Sequence, residues 1–359
     1  MSSVTLEHLE ELQRRMADVE TETSMSAPPS EKPKPKKAPA KRLKEGALYL
    51  TELNNKFPNP DLYFRVRDTK EFGPGMQAFV PDKLPLADYF FPPIFLQLMW
   101  EMLEHNVSCN AVGPPGCGKT TLLPVLCGHL NIPFMDIVGD REKDGSDFIG
   151  RIHIADGDTT FIEGPVVMAL EQGGVLLYDE WAKTLPQHNS WLHPVADGRK
   201  VLDIPEHTDP KRRRIHLHKS SWLTLADNTT GGGDGAGIYS SVQQDQATLD
   251  RFDNTLVMAY PPADEEARLI MVRFPTLEKG IVNRIVRMAN DLRKGWNNGV
   301  FTKAWTVRNS FAMAKKLSLA DAPELYAFDA AGHVYVNKLP DEVEQQAASN
   351  MISNVFTRR

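Results

Sequence analysis

Val107-Ser108-Cys109-Asn110-Ala111-Val112-Gly113-Pro114-Pro115-Gly116-Cys117-Gly118-Lys119-Thr120-Thr121 is the stretch that decides the fold. Residues 107–112 are short and apolar, as a buried strand requires. Gly113, Gly118, Lys119 and Thr120 then fit G-x-x-x-x-G-K-[ST] with no mismatch, and a helical run follows from Thr121 to Leu130. Glycines let the backbone curl so that successive N–H groups face phosphate oxygens. Lys119 offers a point charge to β- and γ-phosphates, and Thr120 offers a hydroxyl to Mg²⁺. A helix starting near Lys119 aims its positive end at the same anion. Gly113 through Thr121 is therefore the candidate nucleotide-binding loop, with Pro114, Pro115 and Gly116 inside it. From average residue frequencies the motif arises by chance in about 1% of chains of this length, and the flanking strand and helix make chance rarer still. Cys117 has two readings: a thiol activated by the helix start, or a small filler whose backbone matters. The second is preferred.

Working outward, Val175-Leu176-Leu177-Tyr178-Asp179-Glu180 is a strand without alternation that ends in two acids. Such a run suits a strand covered on both faces. Asp179 is the expected holder of the Mg²⁺ shell, beside Thr120. Glu180 is the expected group that orients and polarises an attacking water. Trp222-Leu223-Thr224-Leu225-Ala226-Asp227-Asn228 is a further strand with a polar end. Asn228 suits the γ-phosphate or the water, because an amide donates without adding charge. Asp227 has no role assigned by the sequence. Arg251 and Arg308 are candidate arginines for phosphoryl transfer, supplied in trans or in cis.

The segments 107–112, 133–138, 174–178, 221–226 and 254–258 read as strands alternating with helices, which predicts an α/β fold with a parallel sheet. After about residue 262 the strand signal fades. Residues 262–273, 276–294 and 305–317 read as helices of a smaller domain. The expected organisation is a short amphipathic helix over 1–20, a Pro/Lys-rich disordered linker over 21–44, a nucleotide-binding α/β domain over 45–261 and a helical lid with a tail over 262–359. The first helix packs on its own protein or serves as a docking handle. The linker lysines are a solvated spacer or a contact for acidic groups.

Composition narrows the function classes. Of 359 residues 41% are hydrophobic and 25% charged, so a sizeable core is available. No apolar run reaches the ~18 residues of a membrane helix. The N-terminus lacks the apolar stretch of a secretory signal. Three cysteines are too few for a disulfide framework, so reduced thiols and a cytoplasmic location are expected. A net charge of -6 opposes a surface covered in nucleic-acid-binding charge, though not a local basic patch. The scattered histidines show no metal-ligand spacing.

These motifs, in this order, resemble the AAA+ ATPases of the MoxR branch, and within it the CobS-type small ATPase subunit of aerobic cobaltochelatase. The match covers roughly residues 80–320. Its most specific part is Asn228-Thr229-Thr230-Gly231-Gly232-Gly233-Asp234-Gly235-Ala236-Gly237-Ile238-Tyr239 with Gln243-Gln244 and Asp250-Arg251. The resemblance implies a five-stranded parallel sheet with a helical lid, ATP and Mg²⁺ as cofactors, and a homo-oligomeric ring, usually a hexamer. It implies that Asn228 matches sensor one, Arg308 sensor two, and Arg251 the arginine finger acting on a neighbour's ATP. Residues 148–165 look like the helix-two insert, and 199–216 like the hairpin before sensor one. Residues 1–79 do not resemble the chelatase subunit. Sensor one reads Leu-Ala-Asp-Asn where Ala-Thr-x-Asn is usual, and sensor two Thr-Val-Arg where Ser-Pro-Arg is usual.

The function expected is an ATP-hydrolysing ring that remodels or activates a partner protein, with a von Willebrand factor A domain as the partner type the resemblance implies. The alternative is a nucleic-acid-associated motor of the same class, of the kind bacteriophages encode, gripping phosphates with Lys211-Arg212-Arg213-Arg214. A monomeric small-molecule kinase is a third reading, opposed by the sensor and finger arginines.

Overall fold

The computed structural model describes residues 44–155, 157–232 and 241–356. The helix expected over 1–20, the linker over 21–44 except Lys44, and residues 233–240 of the glycine-rich stretch lie outside the described residues.

The strands follow in chain order. β1 (Ala47–Tyr49) and β2 (Tyr63–Arg65) form a small antiparallel pair, and β3 (Cys109–Val112) and β4 (Phe134–Val138) come next. β5 (Gly150–Ala155) and β6 (Asp158–Glu163) make a hairpin, ahead of β7 (Gly174–Asp179). β8 (Val201–Asp203) and β9 (Arg214–His216) make a second hairpin, followed by β10 (Ser221–Asp227) and β11 (Asn254–Val257). The main sheet runs β11-β3-β10-β7-β4 with every pair parallel. This is the expected five-stranded parallel sheet, and both hairpins are excursions from it.

Burial explains why these segments are strands. All of Ser221–Asp227 is buried, and so is β7 up to its last residue. Neither alternates, because helices cover both faces. Helix α1 (Pro93–His105) packs against β11, and α2 (Leu122–Leu130) follows β3. α3 (Pro165–Gln172) packs across β4, β7 and β10. α1 and α2 each end at an asparagine in the left-handed region, Asn106 (φ 59°) and Asn131 (φ 54°). That conformation closes a helix, and asparagine tolerates it better than most residues.

Beyond β11 come α4 (Ala263–Arg273), α5 (Lys279–Asn297), α6 (Val307–Ser318), α7 (Pro323–Val334) and α8 (Glu342–Ser353). In α5 Ile281, Val282, Ile285, Val286, Met288, Ala289 and Leu292 are buried, an apolar stripe at helical spacing. Buried apolar residues fall into two groups, one from Leu50 to Met258 and one from Ile270 to Phe356. α7 and α8 carried no expectation, since Ala-rich faces such as Ala327, Ala330 and Ala331 give a weak periodic signal.

Inside the helical part lies a charged pair. Glu266 on α4 is fully buried and Arg293 on α5 nearly so. Arg293 donates from both terminal nitrogens to the Glu266 carboxylate, at 2.6 and 3.0 Å, and from Nε to the Trp305 carbonyl at 2.9 Å. Ser310 on α6 donates to Glu266 Oε1 at 2.6 Å. Three helices thus meet on one desolvated carboxylate.

The three cysteines are also core residues. Cys109 on β3, Cys117 in the loop and Cys127 on α2 are buried and unpaired. Burial pushes the Cys109 thiol up to about 12 and raises that of Cys127 further. It raises Cys117 as well, against the pull of the Lys119 ammonium. The filler reading of Cys117 follows, because desolvation outweighs the nearby positive charge.

Two outcomes are expected. Glu266→Ala leaves the Arg293 charge buried and unpaired and is expected to cost about 3–5 kcal/mol in urea unfolding, whereas Glu266→Leu with Arg293→Met recovers a large part of that loss. Iodoacetamide at neutral pH is expected to leave the native chain unmodified by intact mass, while the unfolded chain takes up an adduct on each of Cys109, Cys117 and Cys127.

Candidate active site

The strand ends define the site. In the parallel register Asp227 lies opposite Val112, the last residue of β3, and Ala226 lies opposite Asp179. The glycine loop, Asp227 and Asp179 therefore leave the sheet side by side at its carboxyl edge. That edge, where the strand order reverses around β3, is where open α/β sheets hold ligands.

The loop occupies 113–121 between β3 and α2. Gly116 has φ +70°, and a Cβ there would lie 2.9 Å from Thr306 Cβ. Gly113 passes so close to β11 that a Cβ would sit 2.5 Å from the Met258 carbonyl oxygen. Both positions need glycine for space as well as for backbone freedom. Regular helix begins at Leu122, not near Lys119. Gly118 has φ +109°, and its carbonyl accepts from Thr121 and Leu122, each at 3.1 Å. The turn before the helix is therefore made by glycine.

Lys119 is 8% exposed. Its ammonium donates to the carbonyls of Gly113 (2.7 Å) and Pro114 (3.1 Å) and to Asn228 Oδ1 (2.9 Å). Burial lowers its pKa, while Asp179 and Asp227 act in the opposite direction. Asp179 Oδ1 accepts from the Glu180 backbone N–H at 3.0 Å, and burial raises its pKa. Glu180 stands in the left-handed region at φ 52°, an unfavourable place for a non-glycine residue. Its Oε2 pairs with Lys183 Nζ at 2.8 Å.

Asp227, without a role in the sequence reading, is 1% exposed. Its Oδ2 accepts from Thr229 N (2.8 Å), Thr229 Oγ1 (2.6 Å) and Ser241 Oγ (3.1 Å). Its Oδ1 is buried without a hydrogen-bond partner among the described residues. Gln244, singled out within the glycine-rich pattern, is a buried brace. It donates to the carbonyls of Ala182 (3.2 Å) and Thr184 (2.9 Å), tying down the turn after Glu180.

A cavity of about 250 Å³ gathers these groups. It is lined by 115–121 of the loop and by Asp179, Glu180, Asp227, Asn228 and Arg308. Arg308 enters from the first turn of α6. Asp88, Tyr89, Phe90, Leu269, Arg273 and Phe311 also line it, and the sequence reading missed them all. The aromatic, proline-flanked run at 88–93 was the available signal. The Arg273 guanidinium lies 4.2 Å from the Phe311 ring centre and 5.9 Å from that of Tyr89. Arg251 is not among the lining residues. Its guanidinium donates to the Ala247 carbonyl and, after burial, is the next cause holding His193 below its usual pKa.

The donor set fits a nucleotide and a hard cation. The loop supplies curled backbone and an ammonium. Thr120, Asp179 and the unpartnered Asp227 oxygen supply the hard donors that Mg²⁺ prefers. Among the described residues no group of three or more His, Cys, Asp or Glu side chains closes on a metal. That also suits Mg²⁺, which is commonly held by one or two carboxylates and by substrate phosphates.

Residues 111–252 match the family model described as AAA domain (dynein-related subfamily). The denitrification regulatory protein NirQ of Stutzerimonas stutzeri is 26% identical over 55% of this chain and 68% of its own length. The gas vesicle ATPase GvpN of Haloferax mediterranei is 24% identical over 75% and 81%. Protein NorQ of Paracoccus denitrificans is 30% identical over 26% and 34%. Among solved structures, a point mutant of RuvB from Thermotoga maritima aligns over 67% of each chain with a TM-score of 0.44 and 15% identity. The AAA domain match spans the glycine loop and both acidic strand ends, so residues 111–252 carry an AAA domain, and the chain is similar to AAA+ ATPases of the MoxR type.

Proposed function

We propose that the chain acts as a subunit of a homo-oligomeric ring, of six copies as the resemblance implies, in which ATP bound by one protomer is hydrolysed with help from the next, and that the resulting motion remodels or activates a partner protein. Residues 45–261 serve as the nucleotide domain and 262–359 as the lid. The observation that carries this reading is the split between the two arginines. Arg308 lines the cavity of its own chain, whereas Arg251 does not. An arginine placed by a neighbour is a known device for phosphoryl transfer.

The residues divide the chemistry as follows. The backbone N–H groups of the loop 113–121, which Pro114 and Pro115 lack, bind the phosphates, and Lys119 moves from the Gly113 and Pro114 carbonyls toward them. Thr120 and Asp179 hold Mg²⁺, which supplies neutralisation of charge developing on the phosphates. Glu180 accepts the proton of the attacking water as its oxygen bonds to the γ-phosphorus and the bond to ADP breaks. Lys183 competes for that carboxylate in the structure described here. Asn228 orients the water or the γ-phosphate.

The partner is of unassigned identity. The relatives' names cover denitrification regulation and gas vesicles, so they support a protein client of the branch without singling out a chelatase. A von Willebrand factor A domain protein remains the partner type the resemblance implies, and a reducing cytoplasm agrees with three unpaired cysteines. Among the described residues no helix is long and apolar enough to cross a membrane.

The nucleic-acid alternative loses support in the β8–β9 hairpin. Arg212 pairs with Glu163 (2.6 Å) and Glu171 (2.7 Å), and Arg214 pairs with Asp203 (2.6 Å). Arg213 donates to the His207 carbonyl at 3.2 Å. Of the four cations Arg212 and Arg214 are neutralised by carboxylates, whereas Lys211 and Arg213 have no acidic partner among the described residues, so half of the run's charge is committed within the protein.

The test combines three variants. Glu180→Gln is expected to bind ATP and lose about 10²–10⁴-fold in kcat, and to capture the partner in a pull-down. Lys119→Ala is expected to lose nucleotide binding. Arg251→Ala and Glu180→Gln subunits, each inactive alone, are expected to regain part of the activity when mixed. Wild-type turnover by Glu180→Gln removes the water assignment, and absence of recovery on mixing removes the trans arrangement.

A further inference from the structure

The two cores touch at the nucleotide loop in a way that no motif announces. Tyr260 lies in the connection between β11 and α4, ahead of Pro261 and Pro262. Its hydroxyl donates to the Pro115 carbonyl in the loop at 3.0 Å. Its ring carries the Arg293 guanidinium on one face, 4.1 Å from the ring centre. Arg293 is locked to the buried Glu266 by two short bonds, and Glu266 accepts from Ser310 on α6. Ser310 stands two residues beyond Arg308. The Trp305 indole N–H donates to Ser310 Oγ at 2.9 Å, and the Trp305 carbonyl accepts from Arg293 Nε. A continuous set of contacts thus runs from the loop backbone to the helix that presents Arg308. A second contact runs parallel to it: Thr306, the N-cap of α6, packs against Gly116.

We propose that Tyr260 is a positioning residue that sets the distance between the loop and Arg308, and thereby the preference of the site for ATP over ADP. The inference rests on the reading above that Arg308 meets the phosphates. The Glu266–Arg293–Ser310 cluster is desolvated and saturated with hydrogen bonds, so α4, α5 and α6 move as one body. Tyr260 is the polar link between that body and the Pro115 carbonyl. A triphosphate that draws residues 113–116 inward shifts the carbonyl, and Tyr260 passes the shift to Arg293. The lid then turns with the loop, and Arg308 arrives where the γ-phosphate stands. A diphosphate offers Arg308 less, so its affinity does not depend on the alignment. Coupling through packed groups of this kind needs a direct energetic test.

A double-mutant cycle supplies it. Binding of a slowly hydrolysed ATP analogue with Mg²⁺, and of ADP, is measured by fluorescence on the full chain for wild type, Tyr260→Phe, Arg308→Ala and the double variant. Tyr260→Phe keeps the ring under Arg293 and removes the donor. It is expected to weaken the triphosphate about five-fold and ADP less than about two-fold, and in the Arg308→Ala background to add less than about two-fold. Thermal unfolding of Tyr260→Phe is expected to stay within about 2 °C of wild type, as suits loss of one partly exposed hydrogen bond. Ser310→Ala, at the far end of the same path, is expected to show the same selective loss and carries the test if Tyr260→Phe fails to fold. If Arg308→Ala leaves the preference for triphosphate unchanged, the role given to Arg308 falls and this inference with it. If Arg308→Ala is selective but Tyr260→Phe weakens both nucleotides equally, or adds its full effect to Arg308→Ala, the positioning role alone is overturned.

Discussion

Parallel pairing of β3, β10 and β7 in one register is the constraint on which the rest depends. It sets Asp227 opposite Val112 and Asp179 opposite Ala226, so the loop and two acids end at a common edge. Had β10 slipped by one residue, the side chains facing each layer would have exchanged places, and a strand buried along its whole length does not allow that. The burial that covers β7 and β10 on both faces is therefore also what aims the chemistry. The cluster around Lys119 follows: a buried ammonium satisfied by two loop carbonyls and the Asn228 amide oxygen.

The parts legible in the sequence are those where one local rule acts without competition. The glycine loop is such a part, since three positive-φ glycines and the close approaches of Met258 and Thr306 leave few alternatives. The unbroken run Val175 to Tyr178 is another, because burial on both faces removes the alternation. What the sequence hid depends on long-range contact. Tyr89 and Phe90 lie outside any motif and reach the cavity because the chain before α1 folds across it. Arg273 reads as an ordinary helix-end cation until Phe311 is placed beneath it. Asp227 has one oxygen without a partner among the described residues, which no sequence pattern reports.

The charged run at 211–214 is a further case of contacts that long-range folding supplies. Four adjacent cations suggest an outward patch, yet Glu163, Glu171 and Asp203 come from other segments to meet two of them. Arg212 in particular joins three elements, since Glu163 ends β6 and Glu171 lies on α3. Such a bidentate arrangement fixes geometry as much as it adds attraction. The two excursions from the sheet are therefore braced against one another. The β5–β6 hairpin in turn presents Ile152, Ile154 and Ile162 to solvent, an apolar set on a braced arm.

Glu180 carries a consequence of its own. Its left-handed backbone is held by the strand end before it and by the Gln244 brace after it. A side chain in that conformation costs roughly 1 kcal/mol or more compared with glycine. Heat resistance and turnover therefore pull this residue in opposite directions. A screen that rewards survival at high temperature and ignores the rate of reaction would favour glycine here and return a sturdier, silent protein.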